Sequence, residues 1–220
     1  MKVIITGTSG MVGKAVLIEC IECKEVEEVL IINRNTINET SAKVKEVIHK
    51  DFSDFTPIKE TLKGYDACFH CMGVSSVGMN EEKFSFYTYT MTNALVTILY
   101  ELNHSMIFNY VSGTGTDSSE KGKIMWARVK GKTENRILNM GFKDAYAFRP
   151  GVILPEKGVK SKTGWYNFFY VILRPLFPLM KLSSSVITSS QIGKAMINVV
   201  LHPQELKHLE NKDLGAIAQL

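Results

Sequence analysis

The stretch Thr6-Gly7-Thr8-Ser9-Gly10-Met11-Val12-Gly13 stands between an apolar run, Val3 to Thr6, and a pattern of helical period from 11 to 23. In such a strand-turn-helix each glycine has its own use. Gly7 permits a tight turn, Gly10 lets the backbone come close to a pyrophosphate, and Gly13 lets the helix pack closely on the sheet. The amides of Thr8, Ser9, Met11 and Val12 then lie where the positive end of a helix meets an anion. A glycine triplet by itself also describes an ordinary turn. Its place after a strand and before an amphipathic helix favours a dinucleotide site.

Outward from the turn, short apolar runs alternate with helical patterns. Val3 to Thr6, Val29 to Asn33, Val44 to Ile48, Ala67 to Cys71, Ile107 to Ser112 and Ala145 to Phe148 read as strands. Their nearly continuous apolar character fits a parallel sheet buried on both faces. Helices are expected at 11–23, 54–62, 81–102 and 124–140, giving repeated β-α-β units in a doubly wound α/β parallel sheet with right-handed crossovers. After Pro150 the pattern changes to a Gly/Lys-rich loop at 156–164, an aromatic segment at 165–182, a helix at 189–201 and a polar tail. One domain is expected over 1–220, with 151–220 as a small C-terminal appendage on the substrate side, because such pieces cover the crevice at the strand ends.

The chain has 220 residues, 45% apolar and 22% charged, enough to bury one large core. Its net charge of +4 comes from 26 basic and 22 acidic residues mixed along the sequence, which argues against a nucleic-acid partner. The first residues lack the apolar core of a secretory signal, so a cytoplasmic protein is expected. The most apolar window, Trp165 to Leu182, is broken by Arg174, Pro175, Pro178 and Lys181, short of the roughly 20 unbroken apolar residues of a spanning helix. Cys20-x-x-Cys23 and Cys68-x-x-Cys71 have the spacing of a zinc site. Yet Cys20 and Cys23 continue the stripe Val12, Val16 along one helix face, and Cys68 and Cys71 point to opposite faces of a strand. Buried thiols without a metal are expected.

The second strand ends Ile31-Ile32-Asn33-Arg34, where an NAD site usually carries an acid for the ribose hydroxyls. Asn33 removes the charge that would repel a 2′-phosphate, and Arg34 offers a guanidinium fork that binds one. NADP is therefore expected in preference to NAD, against the plainer reading of Arg34 as a surface arginine.

Asp51-Phe52 follows the third strand, Cys71-Met72-Gly73 the fourth, and Asn93 lies in the next helix. Tyr110-Val111-Ser112-Gly113-Thr114 closes the fifth strand, Lys130 lies in the helix after it, and Arg149-Pro150-Gly151-Val152 follows the sixth. With the TGxxGxxG turn, this order of motifs resembles the short-chain dehydrogenase/reductase superfamily in its atypical and extended branches. More narrowly it resembles the NAD-dependent epimerase/dehydratase-like and Tat-interacting-protein-like oxidoreductases. The likeness covers about residues 1–153 and, more loosely, the helix at 189–201. It implies a Rossmann domain that binds NADP, with adenine near Asp51 and Phe52 and its ribose near Cys71, Met72 and Gly73. It also places Asn93 in the cofactor site, Lys130 on the nicotinamide ribose, and Pro150, Gly151 and Val152 beside the nicotinamide.

The resemblance further implies a reaction centre of Tyr-x-x-x-Lys with an upstream serine or threonine, the phenol exchanging a proton with the substrate oxygen. Aligned on Lys130, this chain reads Trp126-Ala127-Arg128-Val129-Lys130. An indole N–H donates a hydrogen bond but does not titrate near neutral pH. Lys130 remains a catalytic candidate, and either Ser112 or Thr114 fits the upstream hydroxyl; strand-to-loop turns also favour such residues for conformation alone. His70, inside an apolar strand, reads as a core histidine. Tyr87, Tyr89, Tyr166 and Tyr170 are unassigned substitute acids. The aromatic segment reads most plainly as core or lid packing, and otherwise as a substrate wall, a contact with a second copy or protein partner, or a membrane-surface contact. Two functions stay open. One is an NADP-dependent oxidoreductase, epimerase or dehydratase acting on a small carbonyl or hydroxyl compound; the other is a non-catalytic NADP-binding redox sensor or regulatory interaction protein.

Overall fold

A computed structural model describes residues 1–159, 183 and 185–220; the aromatic segment at 165–182 lies outside the described residues. Strands β1 (Lys2–Thr6), β2 (Glu28–Asn33), β3 (Val44–Ile48), β4 (Ala67–His70), β5 (Ile107–Val111), β6 (Asp144–Arg149) and a late strand, β9 (His208–Glu210), form one sheet in the order β3-β2-β1-β4-β5-β6-β9. Every pairing in it is parallel. Two further strands, β7 (Val152–Leu154) and β8 (Val186–Thr188), make a small parallel pair beside it.

Side chains alternate between two cores, as the two-residue period of a strand requires. Val3, Ile5, Val29, Ile31, Ala67 and Phe69 enter one core with α1 (Met11–Glu22), and Ile4, Leu30, Ile32 and Cys68 enter the other. The second core is closed by the 3₁₀ segment Thr56–Leu62 and by α3 (Met91–Leu102) and α4 (Met125–Leu138). Between β4 and α3 lies α2 (Glu81–Ser85), which passes into a π-helical turn, Phe86–Thr90, where a single helix is expected from the sequence. Such turns often accompany functional sites.

The helix expected at 189–201 forms, and the polar tail beyond it carries structure that the sequence pattern does not announce. A capping box at Thr188 and Gln191 starts α5 (Ser189–Leu201). This helix packs on α1, where a Cβ at Gly193 would stand 2.6 Å from the Glu19 side chain. Then β9 adds the last strand, and α6 (Asn211–Ile217) buries Leu214 and Ile217. Three strand residues with one buried apolar side chain, Leu209, and a seven-residue helix are too short to show a period.

Candidate functional site

The functional groups collect at the carboxyl ends of the parallel strands, where open α/β sheets leave a crevice. Gly7 has φ +79°, and a Cβ there would stand 2.7 Å from the backbone of Cys71 and Met72, so the turn lies against the end of β4. A Cβ on Gly13 would run into the Gly7 carbonyl and the Thr8 amide. The contact that demands a glycine at 13 is therefore with the turn itself rather than with the sheet. Gly10 has only the Gly7 oxygen near its would-be Cβ, at 3.3 Å. It caps α1 with no side-chain hydrogen bond and no acid in the first turn, which leaves the helix end suited to an anion.

One cavity brings Gly7, Ser9 and Gly10 together with Asn33, Arg34, Phe52 and Cys71-Met72-Gly73. An adjoining cavity shares Arg34, Phe52, Met72 and Gly73 and adds Lys50, Val74, Tyr87 and Met91. Arg34 is exposed and has no partner among the described residues. Thr8 is buried beneath the turn, and Met11 and Val12 start α1. Asp51 and Asn93 are not brought to this cavity. The Asp51 carboxylate closes on Ser53, and Asn93 Oδ1 accepts from Arg136 Nε at 2.7 Å while lining a separate groove with Phe55 and Glu101. Lys50 and Met91 carry no motif that marks them in the sequence, and Tyr87, one of the unassigned substitute acids, is brought in with them. They reach the cavity through the chain path after β3 and through the π-helical turn.

The other side of the crevice is built around Lys130, on α4. Its Nζ donates to the Ser112 carbonyl at 2.6 Å, and burial pushes its pKa down to about 8 against the field of Glu134 one turn on. Thr116 Oγ1 stands 2.7 Å from the Gly113 carbonyl, which only accepts, so its single proton is engaged there. Ser112 must then donate its own proton to Thr116, 2.8 Å away. Thr114 Oγ1 donates to Glu210 at 2.8 Å. Trp126 is partly buried and faces Gly115, whose would-be Cβ lies 3.5 Å from the indole.

Pro150 accepts from the Thr114 amide at 3.1 Å, the Gly151 amide donates to Asn211 at 2.9 Å, and Val152 is exposed. Behind these residues Glu134, with no exposure, takes a two-pronged bond from Arg149. His208 Nε2 lies 3.5 Å from the same carboxylate. The spacing of Lys130 and Glu134, four apart on a helix, is readable in the sequence; the partner Arg149, from β6, is not.

His70 sits between the Thr6 and Thr92 hydroxyls, at 2.8 Å and 3.0 Å, and burial holds its pKa down to about 3. It is a neutral, fully buried residue that lines neither cavity at the glycine turn. Cys68 belongs to one core and Cys71 packs against the other. Among the described residues no group of three His, Cys, Asp or Glu side chains is placed to hold a metal, and no helix is long and apolar enough to cross a membrane.

A seven-stranded parallel sheet with a glycine turn at the end of its first strand defines a Rossmann-type dinucleotide-binding protein. The chain belongs to the NAD dependent epimerase/dehydratase family, whose model matches residues 3–121, more than half of its 220. It is similar to Protein FMP52, mitochondrial, of Meyerozyma guilliermondii, 24% identical over 92% of this chain and 87% of that one. It is also similar to Protein HTATIP2 of Rattus norvegicus, 25% identical over 96% of this chain and 86% of that one. Among solved structures it resembles a dTDP-glucose 4,6-dehydratase, a DesIV double mutant from Streptomyces venezuelae with NAD and DAU bound. There the TM-score is 0.69 and the identity 13%, covering 99% of this chain and 80% of that one. Proteins of this family bind NAD or NADP.

Proposed function

We propose that this chain binds NADP across the ends of β1, β2 and β4 and acts as an oxidoreductase, epimerase or dehydratase on a small carbonyl or hydroxyl compound. The observation that carries this reading is the cavity in which Gly7 and Gly10 meet Asn33 and an Arg34 with no partner among the described residues. When bound, the dinucleotide supplies hydride exchange. Gly7 to Gly13 hold the pyrophosphate, Arg34 takes the 2′-phosphate, Phe52 and Cys71-Met72-Gly73 border the adenosine, and Lys130 holds the second ribose. Residues 151–220 cover the substrate side. We place the chain in the cytoplasm. The word mitochondrial in the name of the FMP52 relative states the competing location, which fractionation against a mitochondrial marker separates.

A second reading, an NADP-binding sensor or interaction protein, draws on the hydroxyls of Ser112 and Thr114. Both are engaged within the chain, and Trp126 has no proton to exchange near neutral pH. The test follows NADPH oxidation with a panel of aldehydes and ketones for the native protein, Trp126→Phe and Trp126→Tyr. The enzyme reading expects native turnover that survives in Trp126→Phe. It also expects a gain in Trp126→Tyr, because a placed general acid contributes about a hundred- to ten-thousandfold. No turnover in any of the three, with NADPH bound, supports the sensor.

A further inference from the structure

The end of β2 carries a polar chain whose last member lies outside the cavity. Asn33 is 3% exposed. Its Oδ1 accepts from the Thr8 hydroxyl at 2.8 Å, and its Nδ2 donates to Glu46 Oε1 at 3.0 Å. Glu46 stands on β3 opposite Ile31 and does not line the cavity. Its carboxylate also accepts from the Thr36 hydroxyl at 2.5 Å and the Ile37 amide at 3.1 Å. Burial opposes the Glu46 charge, but hydrogen bonds from Thr36, Asn33 and Ile37 outweigh it and hold the carboxyl below its usual range.

A carboxylate only accepts, so the nitrogen of the Asn33 amide must face Glu46 and its oxygen must face Thr8. The flipped amide would set oxygen against oxygen. Asn33 is thereby left with one N–H, while its oxygen is held toward Thr8 with a single lone pair to spare. A spare donor suits a phosphate oxygen, whereas the acid of an NAD site accepts from the ribose hydroxyl. The same carboxylate fastens Thr36 and Ile37, just beyond Arg34.

We infer that Glu46 is a specificity-determining residue at one remove, fixing the polarity of Asn33 and the seat of Arg34 so that the end of β2 offers donors and NADP is preferred over NAD. The inference rests on the NADP reading above, and calorimetric affinities for NADPH and NADH test the two separately. Glu46→Ala lowers the NADPH preference about tenfold, the worth of one charge-assisted hydrogen bond. Loss of a negative charge alone would instead favour the more anionic NADPH. Glu46→Gln, whose carbonyl oxygen can still accept from Asn33 and Ile37, keeps the preference. An unchanged or raised preference in Glu46→Ala overturns the role of Glu46.

Should that variant not fold, the aspartate pair decides. Asn33→Asp alone sets a carboxylate against Glu46, and adding Glu46→Gln relieves it and raises NADH affinity; equal NADH affinity in the single and double variants overturns the inference. A native protein with no NADPH preference, or one whose preference survives Arg34→Ala, overturns the NADP reading itself.

Discussion

At the β1-β2-β4 side of the crevice a guanidinium and a helix end are left for something outside the described chain, whereas at the β5-β6-β9 side the groups around Lys130 are answered from within it. Arg34 is without a partner among the described residues, and α1 begins with no side-chain cap. Across the sheet, Lys130 is bonded to Ser112, Ser112 to Thr116, Thr114 to Glu210 and Arg149 to Glu134. The two sides of the crevice can therefore be disturbed one at a time.

The largest effect is expected on the closed side. Glu134→Ala strips Arg149 of its buried partner, and breaking such a pair from one end costs about 3–5 kcal/mol. Urea unfolding measures it. A loss under about 1 kcal/mol would mean that water reaches Arg149 and that this half is not closed.

On the open side, Gly13→Val drives a branched side chain into the backbone of Gly7 and Thr8, where nothing can yield. The expected loss is about 1–3 kcal/mol together with dinucleotide affinity. Gly10→Val, whose Cβ would press on a single atom, the Gly7 oxygen at 3.3 Å, should lose affinity at a smaller cost in stability. Equal stability losses in both would remove the distinction between a glycine needed for the fold and one needed for the ligand.

The smallest effect concerns Lys130, whose pKa burial lowers from 10.5 to about 8. The buried charge costs stability fully below about pH 8, and that cost is shed as pH rises from about 8 toward 10.5, because the unfolded chain then holds the proton that the folded one has released. Lys130→Met should gain stability at pH 7, and the gain should shrink at pH 10. If Lys130 holds the ribose, NADPH affinity of the native protein should fall roughly five- to tenfold through the same inflection, and not in the variant. A flat affinity profile separates Lys130 from the cofactor.

Much of the architecture was legible from the sequence because it is repetitive. Six strands and the glycine turn show in runs such as Val29 to Ile32, whose residues alternate between two cores and so appear apolar throughout. Less legible were features that join distant residues. Glu46 reaches Asn33 across a strand pair, Arg149 reaches Glu134 from sheet to helix, and Asn93 is drawn to Arg136, away from the glycine cavity. No local pattern reports the direction in which such a side chain points. The π-helical turn that accompanies Tyr87 at the cavity is hidden for the opposite reason: residues 81–102 fit one helical period well enough to mask it.

The placement of β9 has a consequence for how the protein is made. Ala147, Phe148 and Arg149 pair with His208, Leu209 and Glu210, about sixty positions downstream, a long loop to close. On a growing chain, β6 therefore waits with a bare edge of N–H and C=O groups while the intervening residues are synthesised, and such an edge is a template for pairing with a neighbouring nascent chain. Once His208 to Glu210 arrive, they cover it with a strand only three residues long, flanked by polar side chains. The outermost edge on that side is then too short to recruit another molecule, so the hazard belongs to synthesis and not to the finished protein.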